Sequence, residues 1–588
     1  MDKFKKDIIT FLEKEIGLKS EEIALEEPPD PKMGDYAFPC FSISKELKKS
    51  PNEIAKDLAS KFKPTEYVSE SRVIGPYINF FVNKKKLAEI VIKKILKEKQ
   101  NHCKANKKVG KAMVEYCQVN THKAFHVGHL RGTMIGSALI RLLRYYGYDV
   151  IAANYQGDIG THVAKCIWYL KNHHHGDYPE ENKGRWLGKI YQKANAMLSN
   201  ASGRNKEKYD EEVSSVLQAL ENGEPHLTEL WQKTRQWSLD DFEEFYNLIG
   251  VEFDEYFFES QMEKPGKEIV NDLLDRKIAE KSEGAVIINL EKYGLGNYLL
   301  LKSDYTALYS TKDIALAKLK FEQYDIIKSI HVVGSEQKLY FRQLFKTLEL
   351  MGFKNAKNCV HVPYDLVTLE GGKISSREGA LIYADELVED VIIFAEKEVK
   401  KRHNNWSAKR ISESAKKIAF GSIKFGMLNQ DNNKAIVFNP EKAMDFEGET
   451  GPYVQYAHAR ICSIFRKSSK DIADFDKDSN QDSNQDSNQD SNKNIDYSLL
   501  NHDAEMQLIS QLGRFGNILE AAAENYRVYL LCHYLIRLAQ QFNEFYHNCP
   551  ILNADPKLMK ARLVLVAGTK HVLEIGLNLL GIEAPDEM

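Results

Sequence analysis

The chain has 588 residues, 43% of them hydrophobic and 28% charged, with a formal net charge of −3. One hydrophobic core rarely grows past roughly 250–300 residues, so several domains are expected, and the near-neutral total does not by itself announce a nucleic-acid partner. No apolar run approaches the roughly 18 residues that span a bilayer, and the opening Met-Asp-Lys-Phe-Lys-Lys-Asp leads to no apolar signal core, so a cytoplasmic protein without membrane contact is expected.

Residues 1–100 read as a small α/β module. An amphipathic helix is predicted over 3–18, a second over 54–62 and a strand over 73–82, with a turn-rich loop at 28–36. The polar stretch from 100 to 111 reads as a linker. A new pattern then begins: a short apolar strand over 113–117, a loop carrying two histidines, a helix over 130–146 closed by Gly147-Tyr148-Asp149, and a strand over 150–154. Strand, loop, helix and strand at this spacing form a βαβ unit of a parallel sheet. Residues 166–282 are polar and helical, an insertion between two halves of the sheet. Strand signals return at 285–290, 298–301, 330–333 and 361–364, completing a unit over 112–380.

Residues 381–440 read as a connecting stem, and 441–588 as a helical domain. Helices are predicted over 410–428, 453–467, 504–522, 526–547 and 557–580. Asp-Ser-Asn begins at 478, 482, 486 and 490, and this polar tract predicts a disordered loop over about 474–494. The 8 cysteines are scattered without a CxxC pair, so buried thiols are expected and no structural metal. His173-His174-His175 reads as a solvated loop.

Two constellations carry chemistry. The first is Lys123-Ala124-Phe125-His126-Val127-Gly128-His129-Leu130-Arg131, between a strand and a helix. A helix starting near Gly128 directs free N–H groups and a positive dipole end at an anion, and two imidazoles add donors for phosphate oxygens. Gly128 leaves room for backbone to approach a ligand. The second is Leu369-Glu370-Gly371-Gly372-Lys373-Ile374-Ser375-Ser376-Arg377-Glu378-Gly379, a glycine-flanked loop presenting cations and hydroxyls.

An HxGH element early in a parallel sheet, with a KxSS loop after its last strand, resembles the signatures of class I aminoacyl-tRNA synthetases, whose two elements grip ATP from both sides. The family's second loop lysine is replaced here by Ser376, followed by Arg377. Lys123 is a candidate replacement cation, a compensation common in the arginyl branch. The resemblance to arginyl-tRNA synthetases continues through Val114-Glu115-Tyr116, Asn154-Tyr155-Gln156-Gly157-Asp158-Ile159-Gly160-Thr161-His162 (with His162 in place of the usual Gln), Ser303-Asp304, Tyr309-Ser310-Thr311-Lys312-Asp313, Val333-Gly334-Ser335-Glu336-Gln337 and Gly451-Pro452-Tyr453-Val454-Gln455-Tyr456-Ala457-His458-Ala459-Arg460.

That resemblance implies a multidomain fold: a Rossmann-like parallel-sheet catalytic core, a small N-terminal α/β module and a C-terminal all-helical bundle. It implies ligation of L-arginine to tRNA(Arg) through an arginyl-adenylate, with ATP and Mg2+ entering as a substrate complex, by a monomer. The implied catalytic residues are Lys123, His126, His129 and Lys373, with Gly128, Ser375 and Ser376 also at ATP. Arginine would be held by Glu115, Asn120, His126, Glu259, Tyr309, Asp313 and Gln337. Carboxylates suit this ligand because guanidinium is planar, permanently charged and forked. Tyr309 and Asp313, four apart on a helical stretch, share a face. Asn79, in Gly75-Pro76-Tyr77-Ile78-Asn79-Phe80, is the candidate base reader of the N-terminal module, expected to be exposed. Tyr456, Phe542, Asn543 and Tyr546 are candidates at the anticodon, core packing being the alternative for the aromatics.

Overall fold

The computed structural model describes residues 2–26, 28, 31–369, 383–468 and 495–588. Lys373, Ser375, Ser376 and the Asp-Ser-Asn tract lie outside the described residues.

The N-terminal helix Asp2–Ile16 buries Phe4, Ile8 and Leu12, one apolar residue per turn, against a three-stranded antiparallel sheet. Its strands are β1 (Tyr36–Pro39), β2 (Val68–Ile74) and β3 (Tyr77–Val82), in the order β1-β3-β2. The single strand expected over 73–82 is thus a hairpin. The chain turns at Gly75, where φ is +57°, and Pro76 has no N–H to donate to a ladder.

The central sheet is parallel throughout. It contains β4 (Gly110–Glu115), β5 (Tyr148–Gln156), β6 (Glu255–Phe258), and later β10 (Lys328–Gly334) and β11 (Cys359–Tyr364), in the order β11-β10-β4-β5-β6. The chain winds to one side of β4 first and to the other afterwards. A crevice therefore opens beyond the carboxyl ends of β4 and β10, where ligands sit in open α/β sheets. The helix Val127–Tyr145 covers the sheet closely: a Cβ at Gly136 would lie 2.3 Å from the Tyr116 ring.

Three sequence expectations change here. The insertion contains helices Thr161–His173, Lys183–Asn200, Arg204–Glu221 and Pro225–Ile249, with a small core around Trp168, Leu187 and Val216. It ends earlier than residue 282, because Glu255–Phe258 returns to the sheet as its edge strand. Strands β7 (Glu280–Ser282), β8 (Ala285–Asn289) and β9 (Asn297–Leu301) form a separate antiparallel sheet instead of joining the parallel one. Of the histidine triplet, His175 is exposed as expected, whereas His173 ends a helix 4.7 Å from the Trp168 ring and His174 lies 5.2 Å from that of Trp186.

After the short parallel pair β12 (Val367–Leu369) and β13 (Ile436–Phe438), flanked by helices Ala384–Arg402 and Ala408–Leu428, the chain is helical. The helices are Gly451–Ser468, Asp503–Gly513, Phe515–Glu524, Tyr529–Asn548 and Pro556–Leu579. Helix Lys84–Glu98 joins the N-terminal module to this bundle, its Leu87, Ile92 and Ile95 sharing one continuous core with Leu508 and Leu565. No described helix is long and apolar enough to cross a membrane.

Candidate active site

The loop after β4 delivers the two histidines to the start of helix Val127–Tyr145. His126 is its N-cap: Nδ1 accepts from the Gly128 N–H at 3.1 Å, and His129 Nδ1 accepts from the His126 N–H at 3.3 Å. A histidine pair thus does the work of a Ser/Glu capping box. Burial, and then the Lys123 ammonium, push His126 down to about 4, and burial, with His126 and Lys123 beside it, holds His129 well below its ordinary value. Both rings are neutral near pH 7. Because each Nδ1 accepts from backbone, each proton resides on Nε2, giving two N–H donors at the positive end of the helix dipole. The space at Gly128 belongs to protein: a Cβ there would lie 2.8 Å from His126 Cε1, so the glycine accommodates the capping imidazole.

Of the acidic side chains at the crevice, Glu115, Glu259 and Asp158 are each paired with a cation. Glu115, at the end of β4, is buried against Lys320, with His331 Nδ1 at 3.3 Å and Gln118 donating at 3.0 Å. Burial opposes its ionisation, but the Lys320 and His331 nitrogens hold it well below the usual carboxylate range. Glu259, the first residue of helix Glu259–Asp275, pairs with Lys312 at 3.0 Å, while burial raises its carboxyl. Asp158 pairs with Arg235 at 2.8 Å and accepts from the Ser260 N–H and hydroxyl, at 2.9 and 2.7 Å, which fixes the turn presenting Glu259.

Asp313 differs. Its Oδ2 accepts from the Tyr340 hydroxyl, and its Oδ1 is buried with no hydrogen-bond partner among the described residues. Burial, opposed by the Tyr340 hydrogen bond and reinforced by Glu115 and Glu259, pushes the carboxyl up to about 7. Tyr309, one helical turn before Asp313, is 53% exposed and meets the Tyr340 ring at a tilt of 57°, with centroids 4.8 Å apart. Asn120 and Glu259 converge on Gly157, where a Cβ would lie 2.1 Å from Asn120 Oδ1 and 3.1 Å from Glu259 Oε1. Gln337 closes a short turn after β10, half-buried. Lys123 is half-buried, its Nζ 5.5 Å from the centroid of the Tyr191 ring.

Away from the crevice, Asn79 contradicts the exposure expected of it. It is 3% exposed, and its Nδ2 donates to the Met33 carbonyl at 2.7 Å, tying the 31–34 turn to β3. Tyr456 and Asn543 do come together. Arg460 donates to Asn543 Oδ1 at 2.6 Å and lies 4.8 Å over the Tyr456 ring, beside a cavity of about 540 Å³. Phe542 is fully buried in the bundle, while Tyr546 is partly exposed.

Comparison with known proteins gives this geometry its context. Residues 91–439 match the family described as tRNA synthetases class I (R), catalytic domain, residues 2–82 the arginyl tRNA synthetase N terminal domain, and 454–588 the DALR anticodon binding domain. The chain is 40% identical over 568 residues to an arginine–tRNA ligase of Bdellovibrio bacteriovorus, covering 96% of this chain and 94% of that protein. The chain belongs to the arginyl-tRNA synthetases. A second relative, the arginine–tRNA ligase of Clostridioides difficile, is 37% identical over the full length of both. The solved Thermus thermophilus arginyl-tRNA synthetase superposes with a TM-score of 0.79 at 26% identity, covering 100% of each chain.

In this arginyl-tRNA synthetase, three side chains at the crevice escaped the sequence reading. The Tyr155 hydroxyl and both polar atoms of the Gln156 amide are buried without partners among the described residues, at the carboxyl end of β5. Burial, together with Asp313, Glu259, Glu115 and Asp158, holds the Tyr155 phenol well above its ordinary value, so it is a donor. Tyr340 completes the set through its bond to Asp313. The signal for Tyr155 and Gln156 was position, since strand ends beside a switch point carry site residues whatever their type; Tyr340, on helix Lys338–Leu350, carried no such signal.

Proposed function

We propose that the crevice activates arginine and passes it to tRNA(Arg), with Asp313 as the seat of the guanidinium. One observation carries the reading: among Glu115, Asp158, Glu259 and Asp313, Asp313 is the one without a basic side chain paired to it among the described residues. A buried carboxyl with an orphaned oxygen is unfavourable until a cation arrives. Guanidinium supplies charge and several N–H donors, so it suits Asp313 together with the nearby Tyr309 hydroxyl. In this reading Asn120, Glu259 and Gln337 hold the remaining groups of the amino acid.

ATP enters with Mg2+, its phosphates at the start of helix Val127–Tyr145. There the His126 and His129 Nε2–H groups, the positive end of the helix dipole and Lys123 supply positive potential. The arginine carboxylate attacks the α-phosphorus, the bond to the bridging oxygen breaks, and pyrophosphate leaves. The terminal ribose hydroxyl of tRNA then attacks the adenylate carbonyl and AMP departs. The reaction needs no protein nucleophile; positioning and charge stabilisation suffice. In this reading Tyr456 and Asn543, with Arg460 between them, stack and hydrogen-bond an unpaired base.

The test is aminoacylation of total tRNA with each proteinogenic amino acid in turn. Charging with arginine alone is expected; charging with any other, or none, overturns the reading.

A further inference from the structure

The insertion helix Lys183–Asn200 lies directly against the loop that carries Lys123. It comes this close at Gly188, where a Cβ would stand 3.1 Å from the Ala124 nitrogen and 3.0 Å from the Ala124 Cβ. One turn further on, the half-buried Tyr191 places its ring 5.5 Å from Lys123 Nζ. The next residue, Gln192, donates to the Tyr383 hydroxyl at 3.2 Å. Two turns earlier, Arg185 lies 5.2 Å over the Tyr383 ring, and pairs with Asp385 at 3.0 Å and with Glu386. Tyr383 itself bridges the His126 backbone, and the Ala384 N–H donates to the Phe125 carbonyl at 3.1 Å. The insertion is thereby in register with both the lysine and the capping histidine.

We propose that Tyr191 is a positioning residue for adenylate formation, its ring holding the Lys123 ammonium beside the helix start where the phosphates bind. This rests on the reading that Lys123 supplies charge to the reacting phosphate. A lysine is a compact charge on a flexible four-carbon stem and needs restraint if it is to meet a transition state. Carboxylates restrain the other crevice cations, Lys312, Lys320 and Arg235, and neutralise them in doing so. An aromatic face attracts an ammonium through its quadrupole and brings no counter-charge. Lys123 is thus oriented while its whole charge and its N–H donors stay available for ATP.

The experiment measures arginine-dependent pyrophosphate exchange, with tRNA(Arg) present, in the full-length enzyme. The variants are Tyr191→Leu, Tyr191→Phe, Lys123→Ala and the Lys123→Ala/Tyr191→Leu double variant, with thermal unfolding followed for each. The leucine variant is expected to lose roughly tenfold in kcat with the KM for arginine unchanged. Phenylalanine, which keeps the ring face, should stay within about twofold of wild type. In the Lys123→Ala background the leucine substitution should cost nothing further. An undiminished Tyr191→Leu rate overturns the proposal, as does a phenylalanine variant as slow as leucine, or a loss that adds fully to that of Lys123→Ala. A full rate in Lys123→Ala alone removes the underlying reading and the proposal together.

Discussion

The Tyr340 hydroxyl donates to one oxygen of Asp313, leaving the other buried and without a partner among the described residues. The tyrosine orients the carboxylate without cancelling its charge. The free protein therefore keeps a carboxyl pushed up to about 7, one that a guanidinium would ionise on arrival.

Arginine affinity should follow that ionisation. Below about pH 7 the carboxyl is protonated in the free enzyme, so the dissociation constant for arginine should rise roughly tenfold per pH unit as the pH falls. Asp313→Asn should flatten this dependence and weaken binding by about 3–5 kcal/mol at pH 8. Titration calorimetry between pH 5.5 and 8.5 measures both (the range chosen to bracket the ionisation). Identical slopes in wild type and variant would sink the assignment.

The same group makes a stability prediction. Its folded value is raised, so the native state holds a proton that the unfolded chain releases near its ordinary value. That contribution is fully present below the unfolded value and is lost as the pH rises through about 7. Unliganded Asp313→Asn should therefore unfold at a higher temperature than wild type at pH 8, and the gap should close toward pH 4. Calorimetric scans at both pH values decide the matter.

At the helix start, structure and chemistry can be separated. Asparagine caps helices well, so His126→Asn should keep thermal stability within about 1 kcal/mol while losing the Nε2–H donor. Exchange activity should drop roughly 10²-fold. Gly128→Ala should do comparable damage by pushing a Cβ into the His126 ring. Equal activity in His126→Asn and wild type would leave the ring as a cap alone.

The buried pair between Glu115 and Lys320 should behave as a unit. Lys320→Met strands the carboxylate and should cost about 3–5 kcal/mol in urea unfolding, much of it recovered in Glu115→Gln/Lys320→Met. Because the Glu115 carboxyl is depressed, its contribution is present above the ordinary carboxylate range and is lost only in strong acid. A double variant no more stable than Lys320→Met would show that the pair is not coupled.

In the helical bundle, Tyr456→Ala should raise the KM for tRNA by the equivalent of roughly 1–3 kcal/mol, the usual worth of one stacked base. The dissociation constant for arginine should not move. A shift in arginine binding of similar size would relocate the role of Tyr456 from RNA contact to domain packing.

Much of this was legible in the sequence, for identifiable reasons. The helix after His126 is long and periodic, and the apolar β4 before it has a single plausible partner pattern, so the crevice could be placed in advance. Glu255–Phe258 could not: four residues with a mixed burial pattern leave periodicity nothing to register. Charge pairing was also hidden. Glu115 and Lys320 are 205 positions apart, and nothing local says which of several acids will be neutralised. Asn79 misled because β3 carries apolar side chains on both faces, so alternation does not say which side faces water.

Helix Tyr309–Tyr324 bears Tyr309, Lys312, Asp313 and Lys320, which respectively contact the Tyr340 ring, neutralise Glu259, await the ligand and neutralise Glu115. From Tyr309 to Lys320 is roughly 16 Å of one rigid rod. Its seating depends on its own Ile314, Ala317 and Phe321, which it buries in the core. Amino-acid selectivity is thus geared to a single lever, and resizing those core side chains would retune the recognition of arginine without touching it.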